Sequence, residues 1–398
     1  MKNLLLYYFV GAALSYLLCG CSGQEGKSSQ HIGLIQTTDT LSFPLPDGIA
    51  LYSDYIFLHT DSTGHEYLLY RDRPRNPQIL VYDLENPSSD PKVIKFYREG
   101  PNGVGAQSVG FFVRSWDEIY VPNTVREICV LDCCGVLKRK IMVGDDSARD
   151  KSIWTQSTGS QPFIFIDDKL FCYQSPNKFK GEKELTESPV DLIFDLNDGS
   201  FVPSTFCYPS ELMIPSDQIQ KNGLVPYAER CLSCDKIVYS FWYSHYLYEY
   251  DIRTGEVKKK EAKSRYLPDE KGINPYNRLN NGEADGIKEI CEMAYYRHIY
   301  YDEYRKVFYR FAYPTNTCEI EASHLQNYFR MGRNTASIMV LDEDLNVISE
   351  TLLPEDRFNT GTTFINKDGL WISCNHMLNP GLDEDHLQFV RFELKSEN

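Results

Sequence analysis

Short runs rich in Tyr, Phe, Val and Ile recur along the chain, broken by Asp, Asn and Gly, and few stretches place apolar residues at helical spacing. Such runs, bounded by turn-forming residues, predict β-strands throughout. One mark returns six times: a strand closing on an acidic residue, at Tyr82-Asp83-Leu84, Leu131-Asp132, Phe194-Asp195-Leu196, Tyr250-Asp251-Ile252, Leu341-Asp342 and Phe392-Glu393-Leu394. A second mark, a tight turn feeding an aromatic-aliphatic strand, precedes most of these. It runs from Asp117 to Tyr120, Asp168 to Phe171, Asp235 to Val238, Arg305 to Phe308 and Asp368 to Trp371.

Two marks per unit imply two hairpins, and so four strands. Six four-stranded units in series predict an all-β fold, a β-propeller in which each sheet buries its faces against its neighbours. The interval from Asp251 to Asp342 is the longest and carries a polar insertion near 262–292. A seventh blade within 256–300 is therefore the rival to six. After Asp251 and Asp342 a further strand opens at Val257 and Val347, but after Glu393 only five residues follow. The last blade is one strand short, and the stretch from Thr40 to Leu45 is expected to complete it, closing the ring and removing an exposed sheet edge.

The start of the chain has a different pattern. Lys2, an apolar run from Leu4 to Leu18, and Gly20 before Cys21 read as a signal peptide over 1–20. Leu18-Cys19-Gly20-Cys21 resembles a lipobox, with Cys21 as the lipid-bearing residue. The apolar run is shorter than the ~20 residues needed to span a bilayer. Residues 21–38 are expected to be a lipidated cysteine and flexible tether, and 39–398 a single propeller domain. The expected location is the bacterial cell envelope. Ser22 to Lys27 lacks the acidic run of a surface-export signal, which favours the periplasmic face of the outer membrane and leaves surface exposure open.

Composition narrows the partners. Lys plus Arg number 41 against 56 Asp plus Glu, a net charge of −15, and no basic cluster is long enough to track a phosphate backbone. Nucleic acid is excluded as an expected partner. Twelve cysteines are spread too thinly for a disulfide scaffold. Cys129, Cys172 and Cys374 fall within strand-like runs, where thiols pack as small hydrophobes. Cys231 and Cys234 have CxxC spacing, but no second pair follows at zinc-ribbon distance; a hairpin position is expected, and a local disulfide stays open.

The lipobox, the stretch from Phe96 to Gly103 with its Glu99-Gly100-Pro101 turn, and the stretch from Tyr301 to Arg310 together give a resemblance over the whole mature chain. The chain resembles an uncharacterised β-propeller lipoprotein family of gut Bacteroidetes, classed as a domain of unknown function. It departs from related six-bladed lipoproteins in carrying Asn102 between Pro101 and Gly103. The resemblance implies the fold and the envelope address, and brings no established activity.

Catalytic motifs are missing. Gly103-Val104-Gly105 lacks the third glycine of a dinucleotide loop, and no G-x-S-x-G, HExxH or Walker loop occurs. No cofactor is expected. Asp145, Asp146 and Asp150, and Asp383, Glu384 and Asp385, are the only clusters that suggest calcium, without EF-hand spacing. Aromatic content is high, with 28 Tyr and 21 Phe, and Trp242 and Tyr243 lie in a segment with aromatic residues on both faces. Gln107 and Gln161 precede presumed inner strands and are expected at a channel entrance. Arg297, His298 and Arg310 belong to the blade with the longest motif. Strand alternation is expected to turn either Arg297 or His298 into the channel, hardly both.

The leading function is a membrane-anchored binding or interaction module for a glycan, peptide or protein. A hydrolase or lyase acting on glycans or lactones from a channel site, with calcium as its metal, is one rival. A scaffold subunit of an envelope complex is another. Three or more carboxylate or Asn oxygens converging on the channel favour the enzyme; an aromatic-lined mouth favours binding.

Overall fold

In a computed structural model the acidic mark is the corner of a blade. Residues 31–73, 76–105, 108–123, 127–142, 156–174, 185–212, 227–269, 273 and 286–397 are described. Cys21, Gln107, Asp145, Asp146 and Asp150 lie outside the described residues. Strand β1 (His31–Pro44) is followed by blade 1, made of β2 (Ile56–Thr60), β3 (Glu66–Tyr70), β4 (Gln78–Asp83) and β5 (Lys92–Lys95). Blade 2 holds β6 (Phe112–Ser115), β7 (Glu118–Pro122), β8 (Glu127–Leu131) and β9 (Leu137–Met142). Blade 3 holds β10 (Ile164–Ile166), β11 (Lys169–Tyr173), β12 (Asp191–Asp195) and β13 (Phe201–Pro203). Blade 4 holds β14 (Ala228–Ser233), β15 (Lys236–Phe241), β16 (Tyr246–Asp251) and β17 (Val257–Glu261). Helix α1 (Gly286–Glu292) leads into blade 5, formed by β18 (Tyr295–Asp302), β19 (Val307–Tyr313), β20 (Ser337–Leu341) and β21 (Val347–Leu352), with helix α2 (Leu325–Met331) inserted after β19. Blade 6 is β22 (Asn359–Asn366), β23 (Gly369–Ser373), β24 (His386–Glu397) and, outermost, β1. The fold is a six-bladed, all-β propeller. Among the described residues, 256–300 contain the outer strand of blade 4, α1 and the start of blade 5, and no seventh sheet.

The repeat has a local cause. Asp83, Asp132, Asp195, Asp251 and Asp342 each accept a hydrogen bond on Oδ1 from the backbone N–H two residues on, at 2.9–3.0 Å. A short carboxylate that bonds its own turn reverses the chain between third and fourth strands at little cost. Glu393 breaks the rule because no turn follows it. It lies inside β24, pairs opposite Ile35 of β1, and meets Arg391 at 3.2 Å.

Ring closure reaches further than the sequence pattern shows. β1 runs antiparallel to β24 from His31↔Glu397 to Pro44↔His386, with a register shift between Gln36 and Thr40. The shift falls in the polar stretch Gln36 to Thr40, which reads as linker. Leu34, inside the expected tether 21–38, is nonetheless buried among Val390, Phe392 and Ile338. Phe43, at the other end of β1, is fully buried against Tyr82 of blade 1 and Phe389.

Consecutive blades are joined by buried arginines. Arg71 beside blade 1 donates to the backbone carbonyl of Ser108 at 3.2 Å and to its Oγ at 2.7 Å. Arg230 of blade 4 donates to Pro162 O at 2.8 Å and Phe171 O at 3.0 Å, and is ion-paired with Asp191 of blade 3. Arg310 of blade 5 donates to Ser244 O at 2.7 Å, Ala262 O at 2.8 Å and Ser240 Oγ at 2.9 Å. Backbone carbonyls just outside the strands, such as those of Pro162, Ser244 and Ala262, have no place in a sheet ladder. A planar guanidinium with five donors satisfies several at once.

Candidate functional site at the channel mouth

Each blade's first strand is its innermost, and the sheets repeat with the same strand order. Neighbouring innermost strands touch: β2 with β22, β14 with β18, and β18 with β22. The N-terminal ends of the innermost strands therefore share one end of the ring. Helix α2 lies at that end, packed on β22. Asp54 just ahead of β2, Glu229 of β14, Arg297 of β18 and Asn359 of β22 all belong to this rim.

Arg297 is the centre of the cluster. Its Nε lies 3.7 Å from Glu229 Oε1 and its Nη2 lies 4.0 Å from Asp54 Oδ2. Its guanidinium sits between aromatic rings, 4.6 Å from the Trp242 centroid and 5.1 Å from that of Phe329 on α2. Trp242 Nε1 donates to Glu229 Oε1 at 2.9 Å, so ring, carboxylate and guanidinium fix one another. Asp54 Oδ1 and Asn359 Oδ1 lie 3.3 and 3.4 Å from where a Cβ on Gly361 would stand. The same Cβ would stand 2.7 Å from Arg330 O, so glycine there lets the start of β22 approach the end of α2.

A bulge falls at Arg297 and His298, the pair of which one was expected to face the channel. Between Tyr296↔Ala312 and Ile299↔Arg310 the register of β18 shifts, so that Arg297 and His298 together oppose Phe311. A bulge breaks the up-down alternation of side chains. Arg297 reaches the carboxylates, while His298 stacks on Tyr300 at 5.9 Å and meets Phe311 edge-on.

The decisive property of the rim is what it leaves unpaired. Among the described residues, Asp54 Oδ1, Glu229 Oε2, Arg297 Nη1, His298 Nδ1, Tyr300 Oη and Asn359 Oδ1 are buried atoms without a hydrogen-bond partner. Three are acceptors, one is a donor, and the phenol and imidazole serve either way. Beside them opens a cavity of about 130 Å³ lined by Tyr52, Ser53, Asp54, Tyr55, Asp72 and Arg330. That is the size class of cavities that admit one six-membered ring, ~150 Å³.

Burial shapes the charges. It pushes the Asp54 carboxyl above the usual carboxylate range, while Arg297 and Arg330 pull it back. Glu229 is likewise pushed up by burial and held down by Arg297. His298 is driven well below its ordinary value by burial, with Arg297 adding to the effect, so its ring is neutral at pH 7.

Burial also lowers His245, outside the site, to about 4, reinforced by Arg310. A histidine with a depressed folded pKa contributes stability that is present above its ordinary 6.5 and lost as pH falls towards the folded value. The raised carboxylates act in the opposite sense, gaining as pH falls. The His245 contribution is therefore read by difference. From pH 7 to 5 the wild type should lose about 2 kcal/mol more than His245→Gln, whose amide keeps a partner for the Tyr296 hydroxyl 2.7 Å away. Denaturant titrations of both proteins at the two pH values measure it; parallel losses refute it.

The structure brings Trp242, Arg297 and His298 together and sets Gln161 close by. Gln161 donates to Ala228 O at 2.7 Å and accepts from Gln156, so its amide is engaged next to Glu229. Trp242 is 7% exposed and carries Arg297 on its face, which makes it a support for the guanidinium rather than an open platform. Tyr243 flanks Trp242 at 6.3 Å and Tyr295 at 6.2 Å. Arg310 is elsewhere, enclosed in its interblade clamp with its guanidinium 3.4 Å over the Tyr296 ring. Asp54, Glu229, Tyr300, Phe329 and Asn359 are absent from the sequence-based candidates. Asp54, Glu229 and Asn359 share one signal, a polar residue at or near the start of an innermost strand, as in Ala228-Glu229-Arg230, while Tyr300 and Phe329 carry none.

Among the described residues no group of three His, Cys, Asp or Glu is placed to hold a metal ion. Asp383 instead accepts from His386 Nδ1 and the backbone of Asp385, both at 2.9 Å. Cys231 is buried in β14 and Cys234 exposed in the β14–β15 turn, both as free thiols. No described helix is long and apolar enough to cross a membrane.

The crystal structure of a DUF4221 family member from Bacteroides vulgatus is similar to this chain at 24% identity and a TM-score of 0.78. It covers 93% of this chain and 100% of that one. The extracellular domain of a one-component system protein from B. thetaiotaomicron is similar at 11% identity and TM-score 0.40, covering 92% and 38%. BamB from Moraxella catarrhalis is similar at 11% identity and TM-score 0.37, covering 92% and 99%. Among curated proteins none matches. The family model described as a domain of unknown function, DUF4221, matches residues 32–352, from the closing strand β1 to the outer strand of blade 5, and the chain belongs to that family.

Proposed function

We propose that the chain is an envelope protein, anchored through lipid on Cys21, whose propeller binds a glycan by seating one sugar ring at the channel mouth. The observation that carries this reading is the set of six buried, unpartnered polar atoms contributed by four blades. Each such atom costs ~1–3 kcal/mol if nothing satisfies it. A cluster of six is therefore a polar site to be completed by water or by another molecule. Three acceptors, one donor and two groups of either kind match hydroxyls, which donate and accept. Two carboxylates beside Arg297 disfavour an anionic ligand. The ring-sized cavity suits a single residue of a longer glycan.

Hydrolysis of the same ligand is a second reading, favoured by one observation. Two carboxyls raised by burial share the rim with a third unpartnered oxygen from Asn359. Raised carboxyl groups suit general acids.

The test uses the full chain with Cys21→Ser, against a panel of neutral, amino and uronic oligosaccharides and a matched peptide panel. An oligosaccharide should bind, and Arg297→Met or Glu229→Gln should weaken it at least roughly tenfold, the loss of one good polar contact. Peptide-only binding, or affinity unchanged in both variants, overturns the proposal. Release of new reducing ends by the wild type but not by Glu229→Gln would establish the second reading.

A further inference from the structure

Cys291 and Cys318 lie far apart in sequence and meet under the helical cap. Cys291 is in the last turn of α1, and Cys318 is in the segment between β19 and α2. They are 1% and 2% exposed and share one small apolar cluster with Leu325 and Tyr328 of α2. The two segments are pinned together at the neighbouring residue. Glu292 O accepts from Asn316 N at 3.2 Å, and Glu292 Oε1 accepts from Cys318 N at 3.1 Å. Both are free thiols in the structure, close enough for Cys318 to bear on the ionisation of Cys291. A further buried clamp holds the same corner, where Arg333 donates to the carbonyls of Ile290 and Met293.

We infer that Cys291 and Cys318 form a disulfide in the exported protein, stapling α1 to the segment that leads into α2. Nothing else in the cluster makes use of two thiols. The other cysteines lack this arrangement. Cys231 points into the core while Cys234 is exposed, and Cys133 and Cys134 are chain neighbours at an exposed turn. In the reaction each thiol loses a proton and one electron, the S–S bond forms, and both electrons pass to the disulfide of an oxidising dithiol protein, which leaves as its dithiol. Burial and the adjacent Cys318 push the Cys291 thiol up to about 12. Exchange therefore belongs to folding, before the cap closes, and the finished bond is shielded from reductants.

The staple has a bearing on the channel mouth. α2 carries Phe329, which backs Arg297, and Arg330, which lines the ring-sized cavity. Closing the loop between residues 291 and 318 limits the freedom of the unfolded chain and holds the cap against the rim.

The experiment exports the Cys21→Ser chain to a bacterial periplasm, alkylates it unreduced in denaturant, and maps the peptides. A peptide joining Cys291 to Cys318 is expected, roughly 2 Da lighter than the two thiol peptides together. Cys291→Ala and Cys318→Ala should each lower Tm by about 5 °C, with no further loss on reduction, while Cys231→Ala leaves the cross-link in place. Alkyl label on both Cys291 and Cys318 in the unreduced wild type, or a cross-link from either to another cysteine, overturns the inference without recourse to any variant.

Discussion

A chain lacking His31–Pro44 is expected to lose its cooperative unfolding transition and to associate through blade 6. Those residues form the outermost strand of the last sheet, paired along most of their length with β24. Their removal exposes the partners of Leu34 and Phe43, each worth ~1.5–3 kcal/mol of burial, and opens a ladder of backbone hydrogen bonds at ~0.5–1.5 kcal/mol each. The sum is comparable with the whole stability of a typical domain, ~5–15 kcal/mol. The bared β24 edge also offers a template for another chain. Circular dichroism during urea titration and sedimentation of the truncated chain measure both effects. Addition of a peptide of residues 31–44 should restore the transition by supplying the missing strand. A truncated monomer that unfolds with wild-type cooperativity would show that blade 6 closes without β1.

Asp191→Ala should cost ~3–5 kcal/mol, the penalty for leaving a buried charge without its partner. Asp191 of β12 and Arg230 of β14 have fully buried side chains and join blades 3 and 4. The Tyr239 hydroxyl donates to the same carboxylate, so the substitution orphans two donors. Arg230 Nε already has no partner among the described residues, which leaves the guanidinium nowhere to turn. Replacing the pair with Asp191→Leu and Arg230→Met together should recover most of the loss, because neither charge then needs solvation. Chemical denaturation of the three proteins gives the comparison. A loss below ~1 kcal/mol for Asp191→Ala would mean that the interblade contacts relax around the free arginine.

Much of the architecture was legible because it is local. The Asp-capped corners at Asp83, Asp132, Asp195, Asp251 and Asp342 sit where the chain must reverse, and their spacing counts the blades. The need for a closing strand was equally visible, because the last unit supplies only three strands of its own. Its length was not, since Gln36 to Thr40 carries no period and only the ladder with β24 shows that pairing continues to His31.

The site was legible only in fragments. Arg297, His298 and Trp242 stood out in the sequence, but alternation assigned Arg297 and His298 to opposite faces, and the bulge that disturbs this alternation depends on the partner strand β19. Arg310 looked like a site residue because it belongs to the blade with the longest motif. Its actual work is to satisfy carbonyls of the neighbouring blade, a demand created only when two sheets meet.

The sequence alone determines the repeat and the β character of the chain, because turn chemistry and strand patterning act over a few residues. The tertiary structure decides which polar residues have partners. Asp54, Glu229, Arg297, Tyr300 and Asn359 come from four blades spread over three hundred positions, and their hydrogen-bond balance is set by the ring that brings them together.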